Sequence, residues 1–84
     1  MRSFLTPMQK QSAEDMILYY HTARGYREKG EPELEAPFKE RYETERRRLS
    51  EALGRAVAVK GDHAPCYKVV DLISGKAIFK EGDK

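Results

Sequence analysis

After Gly54 the apolar residues stop recurring at helical spacing and begin to alternate, and from there to Lys80 they read as strands. Ser74-Gly75 punctuates two strand-like runs, Tyr67 to Asp71 and Lys76 to Lys80, which is a hairpin signal. Two registers are open. A two-residue turn at Ser74-Gly75 pairs Ile73 with Lys76. A longer loop, with Asp71 accepting from the turn amides and Gly75 at positive φ, pairs Asp71 with Lys76. The second is preferred because it gives Asp71, Ser74 and Gly75 each a role. The registers differ by an even slip, so the faces are the same in both. Val70, Ala77 and Phe79 share one face; Tyr67, Val69 and Ile78 share the other. Lys76 and Lys80 flank Ile78, which marks the Tyr67–Val69–Ile78 face as the outer one. A sheet that is apolar on both faces needs cover on both sides, and this points to a partner, most simply a second copy.

Upstream, Thr6-Pro7-Met8-Gln9 is a helix start, with Thr6 as cap, Pro7 at the first helical position and Gln9 completing a capping box. Two apolar stripes follow: Met8, Ser12, Met16, Tyr19, Ala23, Tyr26, and Ala13, Ile17, Tyr20. A helix that is apolar most of the way round is covered on more than one side. Gly30 is the expected stop, with Gly25 an earlier candidate. The stretch from Glu31 to Pro37 reads as a connector, because Pro37 would break a helix interior. The second helix carries Phe38, Tyr42, Leu49 and Leu53 on one stripe, interrupted at Glu45 and Arg46, and ends at Gly54. The spacing thus predicts helices over residues 7–29 and 37–53 and strands over 55–60, 66–71 and 76–80. That is one α+β domain, residues 1–84, in which a two-helix antiparallel hairpin precedes a three-stranded antiparallel β-meander (ααβββ).

At 84 residues the chain has a thin stability margin, which oligomerisation would widen. The lone Cys66 excludes an internal disulfide and fits a reducing compartment. No apolar run spans a bilayer, and Met1-Arg2-Ser3-Phe4-Leu5 lacks a signal-peptide core, so the expected location is cytoplasmic. Sixteen basic and fourteen acidic residues leave +2, too balanced to imply nucleic acid by itself.

Arg46-Arg47-Arg48 is the obvious basic cluster, but consecutive helical positions fan apart by roughly 100° each. Glu43 with Arg47, Glu51 with Arg55 and Glu45 with Arg48 fall at ion-pair spacing, so a solvated, paired face is the plainer account. The functional account is an anion site of Arg46, Arg47 and Arg48, joined by Arg24 and Lys68 and gathered at a subunit junction. Tyr19, Tyr20 and Tyr26, near His21, suit a core or an oligomer seam better than a base-stacking surface. His63 and Cys66 form a single pair without the further ligands a metal needs, and nothing supplies an oriented base or oxyanion site for a cysteine nucleophile. Cys66 is expected to be a buried residue at a strand start. No glycine-rich phosphate loop and no paired carboxylates in an apolar setting appear.

The expectation is a small, non-enzymatic, cofactor-free binding or regulatory protein that acts as a homo-oligomer. Met16, Tyr19, Tyr20, Tyr67, Val69 and Ile78 are its expected interface residues. The alternative is a binder of nucleic acid or of a small anionic ligand. Neither a metal nor a membrane enters either expectation.

Overall fold

Thr6 opens the first helix as its spacing implies. In the computed structural model, which describes residues 5–61 and 66–81, the Thr6 hydroxyl accepts from the Gln9 amide at 3.2 Å. Gln9 Oε1 accepts in return from the Thr6 amide at 3.0 Å. Helix α1 runs Pro7–Glu28 and ends in a turn with Gly30 at φ +72°. Helix α2 runs Pro32–Leu53 and is closed by Gly54 at φ +68°, the left-handed cap that glycine adopts without strain. Strands β1 (Val57–Lys60), β2 (Lys68–Asp71) and β3 (Ala77–Lys80) follow in one antiparallel sheet of order β1-β2-β3. The element order and the α+β class match the ααβββ reading.

The start of α2 is a correction. Pro37 lies inside the helix, and the stretch expected to be a connector is its first turn and a half. Pro37 forgoes one helical hydrogen bond there. Contacts to α1 outweigh this loss. Glu35 bonds Arg27 Nε at 2.9 Å, and Phe38 stacks on Tyr26 with ring centroids 5.8 Å apart. Glu33 and Glu35 also suit the positive end of the helix dipole.

The two stripes of α1 have two partners within the chain. Tyr19 and Tyr26 pack on Phe38 of α2. Ala13, Met16 and Ile17 are buried in the main core. Tyr20 bridges the two layers, with its ring 5.4 Å from Tyr42 of α2 and 5.8 Å from Tyr67 beside β2. Most of the apolar width of α1 is therefore covered by α2 and the sheet, while Met8 and Leu18 stay exposed.

The faces of the sheet are the second correction. Val69 pairs with Phe79 but Val70 pairs with Ala77, so Ile78 is an extra residue, a β-bulge in β3. The bulge changes the phase of β3 halfway along. Phe79 joins Val69 on the inner face instead of Val70, and Ile78 also packs against the core. Tyr67 and Val69, expected outside, are 2% and 0% exposed. With Val57, Val59 and Phe79 they form the floor under α1. Val70 is 7% exposed but belongs to no part of that core. The sheet has one apolar face, and the chain's own helices cover it.

Helix α2 also covers the free edge of β1. The Val57 amide donates to Ser50 Oγ at 3.3 Å and the Val59 amide to the Tyr42 hydroxyl at 3.0 Å. Edge amides satisfied in this way cannot template pairing with another chain. Burial raises the Tyr42 phenol above its ordinary 10.0, against the pull of the Val59 amide, so the hydroxyl stays protonated at neutral pH.

The β2–β3 turn takes the longer of the two registers. The Asp71 amide donates to Lys76 O at 2.9 Å, the Gly75 amide to Asp71 O at 2.8 Å, and Gly75 sits at φ +77°. Asp71 Oδ1 accepts from the Ile73 and Ser74 amides at 2.8 and 3.2 Å, while Oδ2 pairs with Arg55. The Ile73 amide, helped by Ser74 and Arg55 and opposed by desolvation, holds the carboxyl below its ordinary 3.8. A lowered folded value means that the unfolded chain takes up the proton more readily. The carboxylate therefore adds stability above the unfolded pKa and loses it as pH falls through the folded one. The melting temperature should drop steadily below about pH 4. Asp71→Asn should melt lower than wild type at neutral pH and show a shallower acid dependence, which calorimetry across this range will measure.

Candidate functional site

The outer face of the sheet is built by register alone. Lys60 pairs with Lys68, and Lys68 pairs with Lys80. Directly opposed residues share a face with Cβ atoms roughly 5 Å apart. The three exposed lysines thus form one row across all three strands. Beside it runs a row of small residues, Ala58, Val70 and Ala77. Among the described residues, none of the three ammonium groups has an ion-pair partner. Glu81, the next residue after Lys80, turns its carboxylate to the Tyr67 amide at 3.4 Å.

Opposed like charges cost stability, roughly 1 kcal/mol per neighbouring pair before salt screening. Lysines on edge strands have a structural excuse, since they discourage edge-to-edge association. Lys60 and Lys80 lie on the edge strands; Lys68 does not. It stands in the central strand between two like charges, where fold stability gains nothing from it. No family model, no curated protein and no solved structure matches this chain. The functional reading therefore rests on the geometry.

The other cations expected to bind anions are dispersed. Arg46 gives three hydrogen bonds to Glu43, the shortest 2.9 Å, instead of leaving Glu43 to Arg47. Arg48 pairs with Glu45 at 3.2 Å. Arg55 lies past the helix end and pairs with Asp71, not Glu51. Arg47 is exposed and has no ion-pair partner among the described residues, on a different part of α2. The arginine triplet is thus mostly a paired helix face. Lys68 is the member of the expected set that the fold joins to other free cations, Lys60 and Lys80, which sequence reasoning missed.

Arg24 sits elsewhere, in a cleft between the helices at the Lys60 end of the sheet. The cleft has a volume of about 370 Å³ and is bounded by Tyr20, Arg24, Arg27, Lys39, Tyr42 and Glu43. Arg24 Nη1 donates to Gly61 O at 3.0 Å. A larger groove of about 500 Å³ lies at the other end of the sheet, between Leu53, Val57 and Ile78. The charged groups on its wall, Arg55 and Asp71, neutralise each other.

His63 and its neighbours Asp62, Ala64 and Pro65 lie outside the described residues. Cys66 is exposed, contrary to the expected buried strand start, because β2 begins only at Lys68. His21 is not alone, as its Nδ1 lies 3.1 Å from the Tyr67 hydroxyl. No helix among the described residues is long and apolar enough to cross a membrane.

Proposed function

We propose that this is a non-enzymatic nucleic-acid-binding protein of the cytoplasm that holds the phosphate backbone on the open face of its sheet. The observation that carries this reading is Lys68, a cation in the central strand with no ion-pair partner among the described residues and with Lys60 and Lys80 beside it. Strands lie about 4.8 Å apart, so the row extends roughly 10 Å and meets two or three phosphates. The small residues beside the row let a backbone approach closely. The outer positions of the three strands carry no aromatic side chain to stack on bases, which favours backbone contact without sequence preference.

The test is a fluorescence-anisotropy titration with labelled duplex DNA of mixed sequence over a range of salt. For about three neutralised phosphates, log K should fall with log salt with a slope of about −2.7. Affinity should be indifferent to sequence. A salt-independent affinity, or binding to anionic vesicles with none to DNA, would overturn the proposal.

Self-association is the second reading. Met16, Tyr67 and Val69, expected at an interface, are buried in the chain's own core, and the half-buried Tyr19 and Tyr20 pack on Phe38 and Tyr42 of α2. What supports a homo-oligomer is narrower: Leu72 and Ile73 stand exposed together at the hairpin tip, Ile73 at 77%. Light scattering at micromolar concentration separates dimer from monomer.

A further inference from the structure

We infer that the cleft between α1 and α2 is a binding site for a small phosphomonoester, distinct from the lysine row. Its cations come from both helices, and the two arginines are fixed by bonds that leave part of each free. Arg24 engages Glu28 through Nε at 3.4 Å and Gly61 O through Nη1, so Nη2 is uncommitted. Arg27 engages Glu35 through Nε alone, so both Nη atoms are uncommitted. Lys39, across the cleft on α2, has no ion-pair partner among the described residues. The acid on the wall, Glu43, is already satisfied by the guanidinium of Arg46.

Charge counting over this neighbourhood sets Arg24, Arg27, Lys39 and Arg46 against Glu28, Glu35 and Glu43, an excess of one positive charge. The acids act mainly as braces that set the arginine forks. Pre-set guanidinium forks recognise oxyanions at low entropic cost. Three cationic side chains suit the three terminal oxygens of a phosphomonoester better than the two of a carboxylate. The volume of about 370 Å³ is that of a small-ligand site. The Tyr20 and Tyr42 rings, 5.4 Å apart, supply an apolar wall for the body that carries the phosphate.

The experiment is an amide-resolved NMR titration of the full chain with phenyl phosphate, and with benzoate for comparison. Phenyl phosphate should shift the amides of residues 20–27 and 39–43 in one saturable process, and benzoate should bind about tenfold more weakly. Lys39→Gln, which breaks no bond of the fold, should weaken phenyl phosphate about tenfold. A variant with Lys60, Lys68 and Lys80 all changed to glutamine should bind it as wild type does. Shifts scattered over the surface, equal affinity for benzoate, or an unaffected Lys39→Gln variant would overturn the site. Loss of binding in the sheet variant would overturn its separateness from the lysine row.

Discussion

Replacing Lys60, Lys68 and Lys80 together by glutamate should abolish DNA binding without loss of the fold. Each lysine near a polyanion contributes on the order of 1 kcal/mol, so removing three costs about a hundredfold in affinity before the new repulsion is counted. Single changes to glutamine are more informative. Each should flatten the salt dependence by about one in slope, uniformly across DNA sequences. Stability should move the other way. Lys68 faces two like charges and no described partner, so Lys68→Gln should melt at or slightly above the wild-type temperature. A purely structural lysine would give the opposite result, a lower melting temperature with unchanged binding. Anisotropy and calorimetry on the same samples decide between these outcomes.

The row became visible only through the bulge. Local chemistry was legible wherever neighbouring residues settle it. Thr6 and Gln9 cap a helix through bonds three residues apart, Gly54 supplies a left-handed stop, and Asp71 organises its own turn. Helix α1 was rightly read as covered on two sides, but both covers belong to the same chain. The start of α2 was hidden because a proline signal is local, whereas the Arg27–Glu35 and Tyr26–Phe38 contacts that override it arise only once the helices pack. The phase of β3 was hidden more deeply. Simple alternation from a paired Asp71 and Lys76 sets Lys68 opposite Phe79, whereas the bulge brings Lys80 there. One inserted residue therefore both set Phe79 on the face of Val69 and completed the lysine row. Arg46, Arg47 and Arg48, conspicuous in sequence, are divided by the helix among different surroundings.

That phase can be tested by placing one charge on each side of the central strand. Val69→Lys should be the most damaging single change in the sheet. Val69 is 0% exposed and packs in the core, and the buried acid on that face, Asp71, is already engaged by Arg55 and the Ile73 and Ser74 amides. Burying an unpaired charge costs more than about 4 kcal/mol, against a total stability of about 4–13 kcal/mol for a chain of this length. The variant should therefore be largely unfolded at room temperature by circular dichroism. Val70→Lys, one position along, should cost less, because Val70, although only 7% exposed, lies outside the core cluster on the face that carries Lys68, and a lysine stem can carry its ammonium group past the neighbours to water. The same substitution also places a fourth lysine beside the row, so Val70→Lys should bind DNA more tightly than wild type and with a steeper salt dependence. If the outer face were instead the one holding Tyr67 and Val69, the folding results would exchange places. A folded Val69→Lys and an unfolded Val70→Lys would remove the bulge-shifted faces, and with them the surface on which the lysines are aligned.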